Sequence, residues 1–492
     1  MAGALSANIA SDDIGLISST QCGIWEFNVD AGIEAADLAD LSNHRKEVRA
    51  GQYARTCYEP SGDPGAFSCG LFYNQSIAFT TKTHQKCPFS SPNLCLEGAY
   101  SAITFETGLV DASVIGINAR PTHKFKRSTT CSPLNMSQEF ISRVSEANDT
   151  RYRYYYGGKD EGNSTFETVG QPFDWLVPVY TVSTYFSSLY PGEDYWHPIP
   201  ELARPEDTTL TIMFISSAHI YYTKPNLDPI FHAEEPKQVG GLQGTYYFNS
   251  DPRARPMACV DKTELCSPDG KRCWSMTSPV PNGVPSSNAY WLMKWALENS
   301  NSYDSIKWRL GNALLAQEKI SQFVSRPLSP VQWQLEVSQL FATSLARSQF
   351  DVLGIGIGED REKPGYVELT PAEARGHLCG LVKVKMTGAI NVHLGWFLLI
   401  FALLFLIFFL TWKPKTVGWK APERGYGGQR EAIMIDYIIE RVSELSVWLL
   451  GFAKEKYRNW KASKQHGNQP TDPDAEHVDN GSEHNDGPED HD

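Results

Sequence analysis

The spacing of apolar and polar positions changes along the chain, and the changes mark its elements. Across residues 20–135 the apolar runs are short, as at 77–80 and 102–105, and Gly and Pro separate them, which is the pattern of strands between turns. From about residue 151 to 249 aromatic side chains dominate. Tyr152, Tyr154, Tyr155 and Tyr156 open this stretch, and Trp175, Tyr180, Tyr185, Phe186, Tyr190, Tyr195 and Trp196 follow. Residues 208–222 form a strand candidate ending in Tyr221 and Tyr222. Aromatic and β-branched side chains suit a pleated, half-buried surface, so these residues are expected in sheet core rather than on a sugar-stacking platform.

Helical spacing takes over later. Ser329 is an N-cap candidate, Pro330 fits the first helical position, and Gln332 completes a capping box before Trp333, Val337, Leu340, Phe341 and Leu345, which share one face. An earlier helix is expected within residues 288–320, carrying Leu292, Trp295, Leu310 and Leu314. The fold class read from this is α+β: a disulfide-braced, β-rich domain over residues 20–385 with C-terminal helices, after a poorly ordered start over residues 1–19.

Residues 394–410, LGWFLLIFALLFLIFFL, carry no charged or strongly polar side chain, and Thr411 and Trp412 extend the run. This predicts one transmembrane helix at 394–412. Lys413, Lys415, Lys420, Arg424 and Arg430 follow the run, whereas only Lys383 and Lys385 closely precede it, so the C-terminal side is expected in the cytoplasm. The large N-terminal domain is then extracytoplasmic, at the plasma membrane or in a secretory or vacuolar compartment. The first residues, MAGALSANIASDDIGLISST, have neither a basic stretch nor an apolar stretch of signal-peptide length, and the expectation is that an upstream signal or membrane segment is missing.

Residues 413–430 read as a linker. In 431–464, Ile435, Ile438, Val442, Leu445, Leu449 and Phe452 fall on one face of an amphipathic helix, which suits a partner helix or the inner leaflet. Lys454, Lys456, Arg458, Lys461 and Lys464 follow, with Tyr457 and Trp460, and favour contact with anionic lipid. Residues 465–492 form an acidic, disordered tail, whose His466, His477, His484 and His491 are read as solvated.

A chain of 492 residues with 41% apolar and 12% aromatic content can build one large domain or two ordinary ones. The net charge of -13 is uneven, about -9 before residue 394, and an acidic domain is a poor partner for nucleic acid. All ten cysteines, Cys22, Cys57, Cys69, Cys87, Cys95, Cys131, Cys259, Cys266, Cys273 and Cys379, precede the apolar run, and an even number suits disulfides in an oxidising compartment. Cys57, Cys69, Cys87 and Cys95 are close enough for local bridges, with three pairings open. Ser267, Pro268, Asp269 and Gly270 form a turn that brings Cys266 to Cys273, and a zinc site is disfavoured because the thiols lack close pairing. Asn74, Asn135, Asn148 and Asn163 lie in N-glycosylation sequons; Asn480 does too, but in the expected cytosolic tail.

Enzyme motifs are absent: there is no HExxH, no GxSxG and no phosphate-binding GxxxxGK[ST]. Gly354, Gly356 and Gly358 in LGIGIGED read as a turn after a helix, and His232 with Glu234 and Glu235 as an exposed loop without a role. Lys126 and Arg127, within KFKR, resemble a kexin-type processing site, but a solvated basic patch or a phosphate or lipid-headgroup contact is the preferred reading. No catalytic, cofactor-binding or metal-binding residue is assigned.

Several stretches resemble uncharacterised fungal, chiefly ascomycete, single-pass membrane proteins with a cysteine-bearing extracytoplasmic domain. They are CPF at 87–89, ETGLVDASVIGINA at 106–119, TTCSPL at 129–134, the array of Cys259, Cys266 and Cys273, and WQLEVSQLFATSLARSQ at 333–349, followed by Cys379 and the apolar run. The resemblance implies a domain held outside the cytosol and carries no known activity. The expected function is a membrane glycoprotein whose outer domain binds a protein or glycan. The alternatives are an enzyme or membrane-anchored enzyme accessory with an unrecognised site, and a structural surface component.

Overall fold

A computed structural model of the chain describes residues 10–411, apart from 18–21, 59–66, 147–148, 158–164, 169–178, 189–195, 218–219, 241–242, 277–287, 360–362, 369–379 and 393. The chain divides into two units, Met1–His393 and Leu394–Asp492.

The centre of the first unit is an antiparallel sheet. In spatial order its strands are Thr181–Ser187, Thr209–Ser216, Arg255–Cys266, Lys124–Pro133, Ala102–Glu106 and Thr80–Gln85. Thr209–Ser216 lies inside the sheet and is buried along almost its whole length, because both faces are covered. Leu210, Ile212 and Phe214 join one core with Tyr154, Tyr156 and Trp196, while Met213 and Ile215 join a larger core with helical residues on the other side. Lys124–Pro133 alternates over most of its length, burying Phe125, Arg127, Thr129 and Cys131, as a period of two requires.

Two long helices pack together in this unit: α1, Ile33–Cys57, and a later helix, Gln332–Ile357. Between them in sequence come α2, Asn288–Glu298, and α3, Ser302–Lys307, so the later long helix is α4. Trp333, Val337, Leu340, Phe341 and Leu345 are all buried, as their spacing predicts, and Phe341 stacks on Phe105 of the sheet at 5.5 Å between ring centroids. The start of α4 is two residues later than a Ser329 N-cap implies. Val331 is the N-cap, while Ser329 N still donates to Gln332 Oε1 at 3.3 Å. Gly354 and Gly356 lie inside α4, and Gly358 ends it in the left-handed region, so the glycine run is the helix's last turn as well as its cap. Val382 accounts for Gly356, since a Cβ there would sit 3.0 Å from the valine side chain.

Three local expectations are corrected. Residues 20–135 contain the 25-residue helix α1 and are not β-rich throughout. Within 1–19, Ala10–Leu16 forms a strand paired antiparallel with Lys383–Val392. Residues 208–222 split into Thr209–Ser216 and Tyr221–Tyr222, which belong to different sheets.

Disulfides join Cys57 to Cys69, Cys87 to Cys95, Cys131 to Cys259 and Cys266 to Cys273; Cys22 is also disulfide-bonded, and Cys379 lies outside the described residues. The expected turn bridge is present, with its Cα atoms 4.0 Å apart. Cys131 and Cys259 face each other across neighbouring strands. Bonds of this number belong to an oxidising compartment, which points to a secreted or extracellular domain.

The apolar run forms α5, Leu394–Thr411, with exposed side chains such as Phe405 and Leu410. It holds 18 residues, about 27 Å at 1.5 Å per residue against about 30 Å of hydrocarbon. No helix among the described residues is long and apolar enough to cross a membrane. The expected transmembrane helix at 394–412 is therefore overturned, and the single-pass fold and location fall with it. Uniform apolarity predicts a span, but it does not by itself set the length of helix that the hydrocarbon layer requires. Thr411, the last described residue of α5, donates its Oγ1 back to the carbonyl of Ile407 at 2.8 Å, and Trp412 lies outside the described residues. The linker at 413–430, the helix at 431–464 with its basic cluster, and the tail at 465–492 lie outside the described residues.

Candidate functional site

A cleft of about 380 Å³ opens where both long helices meet α2, α3 and a short two-stranded sheet. That sheet pairs Trp25–Phe27 with Tyr366–Glu368. Trp25, Phe27 and Tyr366 form one wall, with Phe27 and Tyr366 edge to face at 6.3 Å. Opposed polar and aromatic groups come from the ends of α2 and α3: Trp295, Glu298, Asn299, Asn301, Tyr303 and Asp304. Phe186, at the sheet's edge strand, stacks on Tyr303 at 5.0 Å. Asn43 and Lys46 of α1 and Arg347, Asp351, Gly354 and Ile355 of α4 complete the lining.

Arg347 organises the floor. It is 1% exposed, and its Nε donates to both carboxylate oxygens of Asp351 at 2.9 Å while Nη1 donates to Glu47 Oε1 at 2.8 Å. Nη2 adds a bond to Asn43 Oδ1 at 3.3 Å. Burial alone pulls the guanidinium's pKa down, but Asp351 and Glu47 outweigh it and hold the group above the ordinary arginine value. Glu47 is fully buried behind this floor. Its Oε2 has no hydrogen-bond partner, and burial lifts its pKa to about 7 against the pull of Arg347. Asp304 is raised for the same reason, although Asn301 Nδ2 donates to it at 2.7 Å. Arg309, packed against Gly51 of α1, is pulled down by burial to about 10.

Side chains with formal negative charge outnumber cations in the lining: Glu26, Glu298, Asp304 and Asp351 against Lys46 and Arg347. Aromatic faces over such a floor accept a ligand with an apolar ring face and many hydroxyls, and disfavour an anion. The described residues contain no group of three or more His, Cys, Asp or Glu placed to hold a metal.

Among the described residues, no cysteine and no sequon asparagine lines this cleft. Asn74 is half-buried, Asn135 exposed, and Asn148 and Asn163 lie outside the described residues. His232 pairs with Glu234 at 3.1 Å on the surface, and Glu235 accepts a hydrogen bond from Ser250, both away from the cleft. The dibasic pair is corrected outright: it sits mid-strand, and Arg127 is buried. Its Nη2 donates to Asp261 at 3.3 Å and its Nη1 to Ser300 at 2.9 Å, while Asp261 also accepts from the Ser302 N–H at 3.0 Å. Arg127 is neither solvated nor accessible to a protease and ties the sheet to the start of α3, while the half-exposed Lys126 pairs with Glu264 at 3.4 Å.

The cleft residues are the ones that sequence reasoning passed over. A signal did exist, since Glu336, Arg347 and Asp351 interrupt an otherwise buried helix, and buried charges need partners. Glu336 found a structural one, accepting the Ala316 N–H at 2.8 Å. No protein family, no curated protein and no solved structure matches the chain.

Proposed function

We propose that the Met1–His393 unit is an extracytoplasmic binding domain whose cleft takes a small neutral or amino-bearing polyhydroxylated ligand, in its simplest form a sugar. The observation that carries this is a salt-bridged polar floor beneath aromatic walls. A sugar ring offers C–H faces to Trp295, Tyr303 or Tyr366, and hydroxyls that both donate and accept to Asn299, Asn301, Asp304 and Asp351. A volume of about 380 Å³ falls within the roughly 300–1,000 Å³ of small-molecule pockets. The acidic lining disfavours sulfated or phosphorylated ligands.

Calorimetric titration of the intact, oxidised chain tests this with neutral saccharides, an amino sugar and a sulfated sugar. Saturable binding of the first two classes is expected, weakened about tenfold by Tyr303→Ala, which is the ~1.4 kcal/mol of one aromatic contact. Equal binding of the sulfated sugar, or none by any, overturns the reading.

One observation favours a second reading. Asp304 lines the cleft and its pKa is raised, as a proton donor to a leaving oxygen requires. The domain is then a hydrolase, Asp304→Asn abolishes hydrolysis of a glycoside with an alkyl or sugar leaving group, whose oxygen must be protonated, while binding persists, and an inert parent chain rules this out.

A further inference from the structure

Asn135 follows the strand Lys124–Pro133, and it is exposed although its backbone is fixed. Its N–H donates to Leu94 O at 2.7 Å, and the Tyr156 hydroxyl donates to its carbonyl at 3.5 Å. It begins the acceptor pattern Asn135-Met136-Ser137. Asn74 is placed differently: it is half-buried, its carbonyl accepts from Gln349 Nε2 at 2.8 Å, and the next residue, Gln75, is bonded on both sides, to Cys57 and Tyr53.

Asn135 also lies on a second, smaller cavity of about 190 Å³, lined by Leu96, Leu134, Met136, Ile230, His232 and Arg255 among others. Arg255 Nη1 donates to Met136 Sδ at 3.2 Å, and its buried Nε has no hydrogen-bond partner. That volume is below the roughly 300 Å³ at which free small molecules find pockets. A tethered occupant escapes this limit, because attachment already supplies its local concentration.

We propose that Asn135 carries an N-linked glycan and that its first sugar ring lies in this groove. The modification joins Asn135 Nδ2 to the anomeric carbon of a polyprenyl-pyrophosphate-linked oligosaccharide; the pyrophosphate leaves with the bonding electron pair, and Nδ2 gives up one proton. The ring's C–H faces and acetamide methyl cover the partly exposed Leu96, Met136 and Pro229, and the acetamide oxygen accepts from His232 or Arg255. The proposal rests on the oxidising compartment that the disulfides indicate, and is independent of what the large cleft binds.

The test is expression of the full chain, behind a cleavable export signal, in a eukaryotic secretory host, followed by peptide mass spectrometry and timed endoglycosidase digestion of native and denatured protein. Asn135 is expected to be occupied, Ser137→Ala to remove that glycan, and digestion to run at least about tenfold slower in the native state as a tethered, seated ring requires. His232→Ala, at a half-buried position, should restore part of the native digestion rate without unfolding the chain. An unmodified Asn135 overturns the proposal, and so does a glycan trimmed equally fast in native and denatured protein.

Discussion

Replacing Glu47 by Gln removes one charge from behind the cleft floor and leaves the shape nearly unchanged. In the folded chain burial raises this carboxyl from 4.5 to about 7, and only Oε1 is partnered, by Arg347 at 2.8 Å. A raised acid binds its proton more tightly when folded. Its contribution to stability is therefore fully present below the unfolded value of 4.5 and is lost as pH rises through about 7. At about 1.4 kcal/mol for each tenfold change in proton affinity, the loss is on the order of 3 kcal/mol. Glu336 and Asp228 are raised by burial too, to about 7 and about 6, so the parent chain weakens with pH for more than one reason, and the difference between parent and variant isolates Glu47. Denaturant melts of the intact oxidised chain at intervals from pH 5 to 8 measure it. Glu47→Gln should match the parent near pH 5 and exceed it at pH 8. A variant markedly weaker than the parent at pH 8 would show that the Glu47–Arg347 pair is a net stabiliser, and the reasoning fails.

Other outcomes follow from the same structure. Arg347→Leu strands Glu47 and Asp351 and should cost about 3–5 kcal/mol at neutral pH by denaturant melt. Asp261→Asn leaves Arg127 buried without its counter-charge and should cost a similar ~3–5 kcal/mol, with α3 the first segment to gain hydrogen exchange. Gly311→Ala places a Cβ 2.1 Å from the Tyr180 carbonyl oxygen, and thermal melts should show a loss of about 1–3 kcal/mol. Non-reducing peptide maps should recover Cys131 linked to Cys259, and a Cys131 thiol found free would contradict the central sheet's register.

Strong periodicity made parts of this fold legible. The α4 stripe of Trp333, Val337, Leu340, Phe341 and Leu345 and the Cys266–Cys273 turn were readable because apolar spacing and turn chemistry agree there. Helix α1 was hidden for a physical reason: its buried face is Ala35, Ala39, Ser42, Glu47, Ala50, Gly51 and Ala54, with Tyr53 and Cys57, so small and polar residues replace the apolar stripe that marks most helices. Small side chains let α1 approach α4 closely, and that approach carries Glu47 to Arg347. The cleft was illegible because its groups, from Trp25 to Tyr366, lie far apart in sequence and meet only through long-range packing. The stretches on which an expected fungal resemblance rests are mainly strand, turn and core helix and hold Arg347 alone among cleft residues, and no family or relative matches the chain. The apolar run misled in the opposite way, since uniform apolarity reports hydrophobicity and not whether a helix is long enough to cross a bilayer.

The cleft's assignment is tested most directly by applying the labelled intact chain to an array of immobilised glycans, beside a Trp295→Ala variant. Binding confined to neutral or amino-bearing glycans, and lost in the variant, is the predicted result. Binding to sulfated or sialylated glycans, binding that survives the variant unchanged, or no binding to any glycan would contradict it.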